Sequence, residues 1–242
     1  VKRVDDIVAP PLLRFSTSMS TLYIISTPIG NLEDITLRAV SVLPTLDLLL
    51  CEDTRVTKRL LDRYEVNVPT ESYREQVHAR ALTRAVARLK EGASIGLVSD
   101  AGTPGISDPG AWLVRDILTE LPDTKIIPIP GPSAVTAALA ASGFDSNEFV
   151  FLGFPPHKKK RQSFFKEALS QERTAVLYES THRIMKALET IGEMAPDRRL
   201  VVCRELTKLH ETIYRGTAEE IAKAIQVTSD KGEFVIVIEK KK

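Results

Sequence analysis

Three turns in this sequence combine small, polar and conformationally special residues in a way that could hold a ligand by its backbone. The densest is Ser99-Asp100-Ala101-Gly102-Thr103-Pro104-Gly105-Ile106-Ser107-Asp108-Pro109-Gly110, with three glycines and two prolines in twelve residues. Such a stretch follows one chain path with little side-chain bulk, so amides and carbonyls can approach a bound molecule closely. Asp108 is also suited to capping a helix that opens at Pro109. The residues before it exceed what a cap requires. The turn Ser26-Thr27-Pro28-Ile29-Gly30-Asn31 lacks both G-x-G-x-x-G and the Lys-Ser/Thr of a phosphate loop, so it carries neither nucleotide fingerprint. A plain turn with a polar lip explains it equally well. The third turn, Pro130-Gly131-Pro132-Ser133-Ala134, opens a small-residue helix whose first amides are free to meet acceptor groups, although a hinge would look much the same.

Charged residues add a second layer. Glu52-Asp53 and Glu205 directly follow apolar runs, where a carboxylate could hold a ribose hydroxyl or act as a general base. Ion pairs to Arg55 and Arg204 are the structural alternative. His157-Lys158-Lys159-Lys160-Arg161 is the densest positive run and precedes an expected helix at Gln162. Cations at a helix N-terminus oppose its dipole, so binding of partner phosphates is the functional reading and a solvated loop the plain one. Arg74, His78, Arg80 and Arg84 form a second, weaker basic set. The four histidines fall on separate segments, and no metal site is expected from their spacing. Cys51 and Cys203 sit in apolar runs and read as small buried hydrophobes.

Overall composition constrains less. The 33 basic side chains nearly balance the 32 acidic ones for a net charge of +1, so any grip on nucleic acid must come from a local patch. No stretch approaches the roughly 20 apolar residues that span a bilayer. Pro10 and Pro11 interrupt the only apolar patch near the start, which leaves no signal-peptide core and makes a reducing cytoplasm the expected location. Two expectations stand for residues 1–18: that Met19 is the natural start, or that the leader is a disordered arm.

These residues need elements to hold them. Apolar runs at Leu22–Ser26, Leu46–Cys51, Ser94–Asp100 and Lys125–Ile129 alternate with helical periods near Leu37–Leu43, Arg55–Tyr64, Gln76–Lys90 and Ala111–Leu121. That alternation predicts a mainly parallel sheet covered by helices. Pro128, Pro130 and Pro132 then exclude a central strand or helix and mark a stiff linker. Beyond it, strands are expected near Phe149–Leu152, Thr174–Glu179, Leu200–Arg204, Glu211–Arg215 and Glu233–Glu239. Helices are expected at Ser133–Ala141, Gln162–Leu169, His182–Gly192 and Ala218–Ile225, the last started by a Thr217/Glu220 capping box. The predicted organisation is two α/β lobes, residues 19–130 and 131–242, each a mixed or mainly parallel sheet covered by helices.

Residues 21–239 resemble the ribosomal RNA small subunit methyltransferase I family, a branch of the tetrapyrrole methylases. The resemblance lies in Leu22 through Leu32 with Asp34-Ile35-Thr36, Glu52-Asp53-Thr54-Arg55, Ser99 through Gly110, Pro130-Gly131-Pro132, Tyr178-Glu179-Ser180-Thr181-His182-Arg183, and Arg204-Glu205-Leu206-Thr207-Lys208. It implies a homodimer of two-lobed subunits that bind S-adenosyl-L-methionine in a trough between the lobes. The implied reaction is 2′-O-methylation of a cytidine in the decoding region of small-subunit ribosomal RNA. Carried over by position, cofactor contacts would come from Pro28, Ile29, Gly102, Thr103, Ile106, Ser133, Ala134 and Tyr178. Some family members carry a further small C-terminal module. This sequence stops soon after Glu239, which puts any RNA contacts made by that module in doubt.

Methyl transfer to a ribose oxygen requires alignment and help in removing the hydroxyl proton. Glu179 and Glu205 are the candidate bases, with Lys208 able to stabilise developing negative charge. Lys158, Lys159, Lys160 and Arg161 are the candidate RNA contacts. Two other readings stay open: the same fold acting on a tetrapyrrole or a protein side chain, and a non-catalytic RNA-binding assembly module.

Overall fold

Leu48, Leu49, Leu50 and Cys51 are all buried, although successive side chains of a strand point to opposite faces. Leu48 and Leu50 enter one apolar cluster while Leu49 and Cys51 enter another. A strand covered on both faces is the signature of a parallel sheet between helices. The computed structural model describes residues 20–108 and 110–241, so the expectations for a leader and a start at Met19 lie outside the described residues.

The described chain divides into two compact units. One comprises the residues up to Pro28 with Leu32–Pro132; the other takes Ile29–Asn31 and continues from Ser133. In the first unit, strands β1 (Thr21–Ile25), β2 (Leu48–Cys51), β3 (Thr70–Ser72), β4 (Ser94–Val98) and β5 (Lys125–Ile129) form a sheet of order β3-β2-β4-β1-β5. Every pair in it is parallel. Helices α1 (Leu37–Val42) and α2 (Thr54–Arg63) supply buried residues to one face, α3 (His78–Lys90) and α4 (Gly110–Glu120) to the other. Pro128 lies within β5 because β5 is an edge strand, paired to β1 alone with Pro128 opposite Ile24. The short polar strand β3 has no apolar pattern and was not expected.

The second unit carries α5 (Ala134–Ser142), α6 (Arg161–Ser170), α7 (Ile184–Met194) and α8 (Ala218–Val227) with strands β6 (Phe149–Phe151), β7 (Thr174–Ser180), β8 (Leu200–Arg204), β9 (Thr212–Gly216) and β10 (Glu233–Ile238). Its sheet order is β6-β7-β10-β8-β9. Only β6 and β7 run parallel; the last strand inserts antiparallel between β7 and β8, which makes this sheet mixed. α5 covers one face, and α6, α7 and α8 cover the other. The capping box forms as expected. Glu220 Oε2 accepts from the Thr217 N–H at 2.8 Å, and Thr217 Oγ1 accepts from the Glu220 N–H at 3.4 Å.

Candidate active site

In the first unit, two of the three turns meet directly. Thr27 N–H donates to the Gly102 carbonyl at 2.9 Å, and Gly102 N–H returns a bond to the Thr27 carbonyl at 3.1 Å. Ser26 Oγ lies 2.8 Å from Thr103 Oγ1. Gly102 and Gly105 take φ of +83° and +88°, which other L-residues adopt only under strain. Asp108 Oδ1 accepts from the N–H groups of Gly105 (2.5 Å) and Gly110 (2.9 Å), so it folds the loop and caps α4 together. Pro109, where that helix was expected to open, is outside the described residues. A Cβ on Gly131 would stand 2.9 Å from the Ser26 Cβ, so the third turn also lies against the first. The Thr103 N–H has no acceptor among the described residues, and Ile106 is half exposed. A loop with a free amide and almost no side-chain bulk fits a ligand held mainly by main chain.

The carboxylates beneath this loop serve the fold. Asp100 Oδ1 accepts from the Asp53 N–H at 2.9 Å. Asp53 caps α2 and pairs with Arg55 at 2.6 Å, which holds its carboxyl well below the usual carboxylate range. Burial pushes Glu52 and Asp100 upward instead. The ion-pair reading of Asp53 with Arg55 therefore holds.

In the second unit, Gly30 packs onto the loop after β8. A Cβ there would collide with Lys208 Cγ and stand 2.9 Å from both the Leu206 carbonyl and Thr207 Oγ1. Lys208 Nζ bonds to Glu205 Oε1 at 2.9 Å and Glu233 Oε2 at 2.8 Å, and Glu205 Oε1 also accepts from the Glu233 N–H at 2.8 Å. Glu205 pairs with Lys208, not with Arg204, whose guanidinium instead bonds the Lys231 and His210 carbonyls. Burial alone would raise the Glu205 carboxyl, but Lys208 and the Glu233 amide outweigh it and the net displacement is downward. Lys208 is likewise penalised by burial, yet its two carboxylates move it upward. The same loop holds Glu205 and Thr207 at φ of +52° and +66°, and Thr207 Oγ1 is buried with no hydrogen-bond partner among the described residues. Left-handed non-glycine residues and an unsatisfied buried hydroxyl carry a cost that concentrates at working sites.

Nearby in the same unit, Ser133 precedes α5 without capping it, and burial pushes the Tyr178 phenol up, an effect that the Val135 amide partly offsets. Phe151 and Phe154 flank the Tyr178 ring at 4.8 and 5.3 Å. Ala134 and Tyr178 pack against the same apolar cluster. Tyr178 and the first turn of α5 are thus brought together.

Comparison with known proteins gives this arrangement a family. Residues 21–222 match the description "Tetrapyrrole (Corrin/Porphyrin) Methylases". A Thermotoga maritima protein named ribosomal RNA small subunit methyltransferase I is 41% identical over 91% of this chain and 98% of its own length. The chain belongs to the ribosomal RNA small subunit methyltransferase I family. The family's Synechocystis member of the same name is 43% identical over 91% of this chain and 79% of its own. Among solved structures, diphthine synthase superposes with a TM-score of 0.69 at 16% identity, covering 91% of this chain and 90% of that one. Cobalt precorrin-4 methyltransferase follows the same fold with a TM-score of 0.66 at 19% identity, covering 92% and 95%.

Within this member of the small subunit methyltransferase I family, several expected roles need correction. Glu179 is fully buried and bonded to Arg161 Nη2 at 2.7 Å and Arg183 Nε at 3.0 Å, so no substrate hydroxyl can reach it as it stands. Arg161 is withdrawn from the RNA-binding set for the same reason: its side chain is 9% exposed and turned onto Glu179. Lys158, Lys159 and Lys160 are exposed, and none pairs with an acid among the described residues. Gly102 cannot serve as a free hydrogen-bonding amide, because Thr27 takes it; its part is the turn itself. Thr207 was missed, and nothing in a lone threonine announces a left-handed backbone. Among the described residues no group of three or more histidines, cysteines or acids is arranged to hold a metal ion, and no helix is long and apolar enough to cross a membrane.

Proposed function

We propose that this protein transfers a methyl group from S-adenosyl-L-methionine to the 2′-hydroxyl of a cytidine ribose in the decoding region of small-subunit ribosomal RNA. The reading rests chiefly on the 41% identity to the Thermotoga relative across nearly the whole of both chains. When bound, S-adenosylmethionine supplies a methyl group already activated on a sulfonium sulfur. The residues proposed to hold it in the first unit are Pro28, Gly102, Thr103 and Ile106, through the free Thr103 amide and the low bulk of the loop. Ile29, Ser133, Ala134 and Tyr178 are proposed as the second unit's contacts on the family resemblance.

For the transfer itself, Lys208 and Glu205 are the proposed pair. The Lys208 ammonium opposes negative charge that grows on the ribose oxygen. Glu205, partly solvent-accessible where Glu179 is not, accepts the proton as the new oxygen–carbon bond forms. A carboxylate held low is a weak base, and the proposed role of the neighbouring Lys208 ammonium is to make the hydroxyl proton easier to remove, so that it passes to Glu205 as the oxygen attacks. Glu233 orients Lys208 from its other side. Recognition of the 2′-hydroxyl excludes DNA, which lacks it. Lys158, Lys159 and Lys160 are the proposed phosphate contacts, and a homodimer is the proposed assembly.

The test is incubation of the purified protein with labelled S-adenosylmethionine and small subunits that lack this methyl group, followed by mapping of the modified nucleotide. Label on the ribose of one decoding-region cytidine is the expected result. Label on a base, on protein or on a tetrapyrrole would overturn the assignment.

A further inference from the structure

We infer that the outward face of α3 is a second phosphate-binding surface for the RNA substrate, built on Arg80, Arg84 and Arg88. The inference rests on the RNA-methylating reading above. Over its thirteen residues, His78–Lys90, α3 carries Arg80, Arg84, Arg88 and Lys90 and no acidic residue. The three arginines recur every fourth position, which places them on one stripe with a rise of about 6 Å between neighbours. All are exposed.

The basic set suggested by sequence separates cleanly in the fold. Arg74, though exposed, is tied to the Asp53 carboxylate and the Glu52 carbonyl. His78 is bound between Tyr73 and Asp116 at 2.8 Å each. Arg80 and Arg88, by contrast, have no bonded or charged partner among the described residues, and Arg84 has only Glu71 at 3.0 Å in an exposed pair of the weak kind. Beside the stripe, Arg80 and Arg84 line an open cavity of about 240 Å³ between α3 and the edge strand β3, together with Ser72 and the Glu71 that Arg84 holds.

Stability explains this arrangement only in part: Arg88 stands in the last turn, where a cation favours the helix dipole, and Arg84 holds Glu71. Arg80 stands in the first turn, where a cation opposes the helix dipole, and no acid at i±4 along α3 compensates any of the three. Exposed guanidinium groups in a row, two of them unpaired among the described residues, present planar, forked donors that match phosphate oxygens. An acidic protein partner would want a buried aromatic or aliphatic anchor at the centre of its footprint. Along α3 itself only Val77, just before the helix, is a large exposed apolar residue. RNA phosphate is therefore the occupant that the surface chemistry favours.

The experiment measures binding of the full chain to a decoding-region RNA oligonucleotide across 50–200 mM KCl. It compares the unaltered protein with R80A/R88A and R80K/R88K, with Arg84 kept so that Glu71 stays paired. Removing two phosphate-neutralising charges should lower the slope of log affinity against log salt by about 1.4–1.8, so that the affinity of R80A/R88A falls about tenfold less over that range. R80K/R88K should restore most of the slope, because charge sets it. Thermal midpoint and calorimetric binding of S-adenosylmethionine should stay unchanged in both variants. A slope equal to that of the unaltered protein would overturn the inference while leaving the methylation reading intact, and loss of polyglutamate binding alongside that result would assign the stripe to an acidic protein instead. If the unaltered protein neither bound nor methylated the RNA, both readings would fall.

Discussion

Arg161 Nη2 lies 2.7 Å from Glu179 Oε2, and the two side chains are 9% and 0% exposed. Arg183 reaches the other carboxylate oxygen at 3.0 Å, and both arginines also bond carbonyls of the Pro155–Pro156 segment that leads into the basic run. Removing one partner of a buried pair leaves the remaining charge without compensation. E179A should therefore lower the unfolding free energy by about 3–5 kcal/mol, read as a lower urea midpoint. A stable E179A protein defective only in methyl transfer would return Glu179 to the chemistry.

Glu205 and Lys208 give the opposite expectation, a loss of rate without a loss of fold. K208M should reduce kcat by about 10²-fold or more, as for removal of one donor to a developing oxyanion. E205Q should reduce it by a similar factor. Single-turnover kinetics with saturating RNA separates these effects from weaker binding. Undiminished turnover in both variants would remove the pair from the mechanism.

The pH dependence follows from the directions in which the pair is displaced. Glu205 lies below the ordinary carboxylate range, so its contribution is present above the unfolded value and is lost as pH falls through the depressed folded one. Lys208 lies above the ordinary lysine value, so its contribution is present below the unfolded value and is lost as pH rises through the raised folded one. Both groups stay charged through neutrality, and kcat/KM should be flat there. In K208M the cation that lowers Glu205 is gone and burial remains, so the acid limb of the residual kcat/KM profile should move to higher pH. An unmoved limb would show that another group controls it.

Gly102 tests the first unit's loop. A β-branched side chain at φ of +83° is strained by about 1–3 kcal/mol, and relief would break the paired bonds to Thr27. G102V should weaken S-adenosylmethionine binding by at least about tenfold, measured by calorimetry, with the circular dichroism of the sheets unchanged. Full affinity in G102V would separate the loop from the cofactor.

The lysine run is tested by K158A/K159A/K160A. Every phosphate left without its lysine should reduce the salt slope of RNA binding by about 0.7–0.9. An unaltered slope would leave these lysines as a solvated loop.

Helices and strands of this protein were legible because burial on both faces writes continuous apolar runs, and amphipathic burial writes a 3.6-residue period. β5 and β8 fall at their expected bounds, and the capping box forms at Thr217 and Glu220. The polar edge strand β3 buries too little apolar surface to leave such a record, and the antiparallel place of β10 depends on partners distant in sequence.

The site divides along the same line. Backbone-permissive turns announce themselves by glycine and proline, because few other residues can follow those paths, and the motifs around them carried the family. Which charges face solvent is a different matter. Arg161 and Lys160 are neighbours in one basic run, yet one closes on a buried glutamate and the other stands in water; Arg74 and Arg80 are both exposed, yet only Arg74 is held by a carboxylate among the described residues. A charged side chain is several ångströms long and settles where a counter-charge from another element meets it, so its role was fixed only when the strands and helices had assembled.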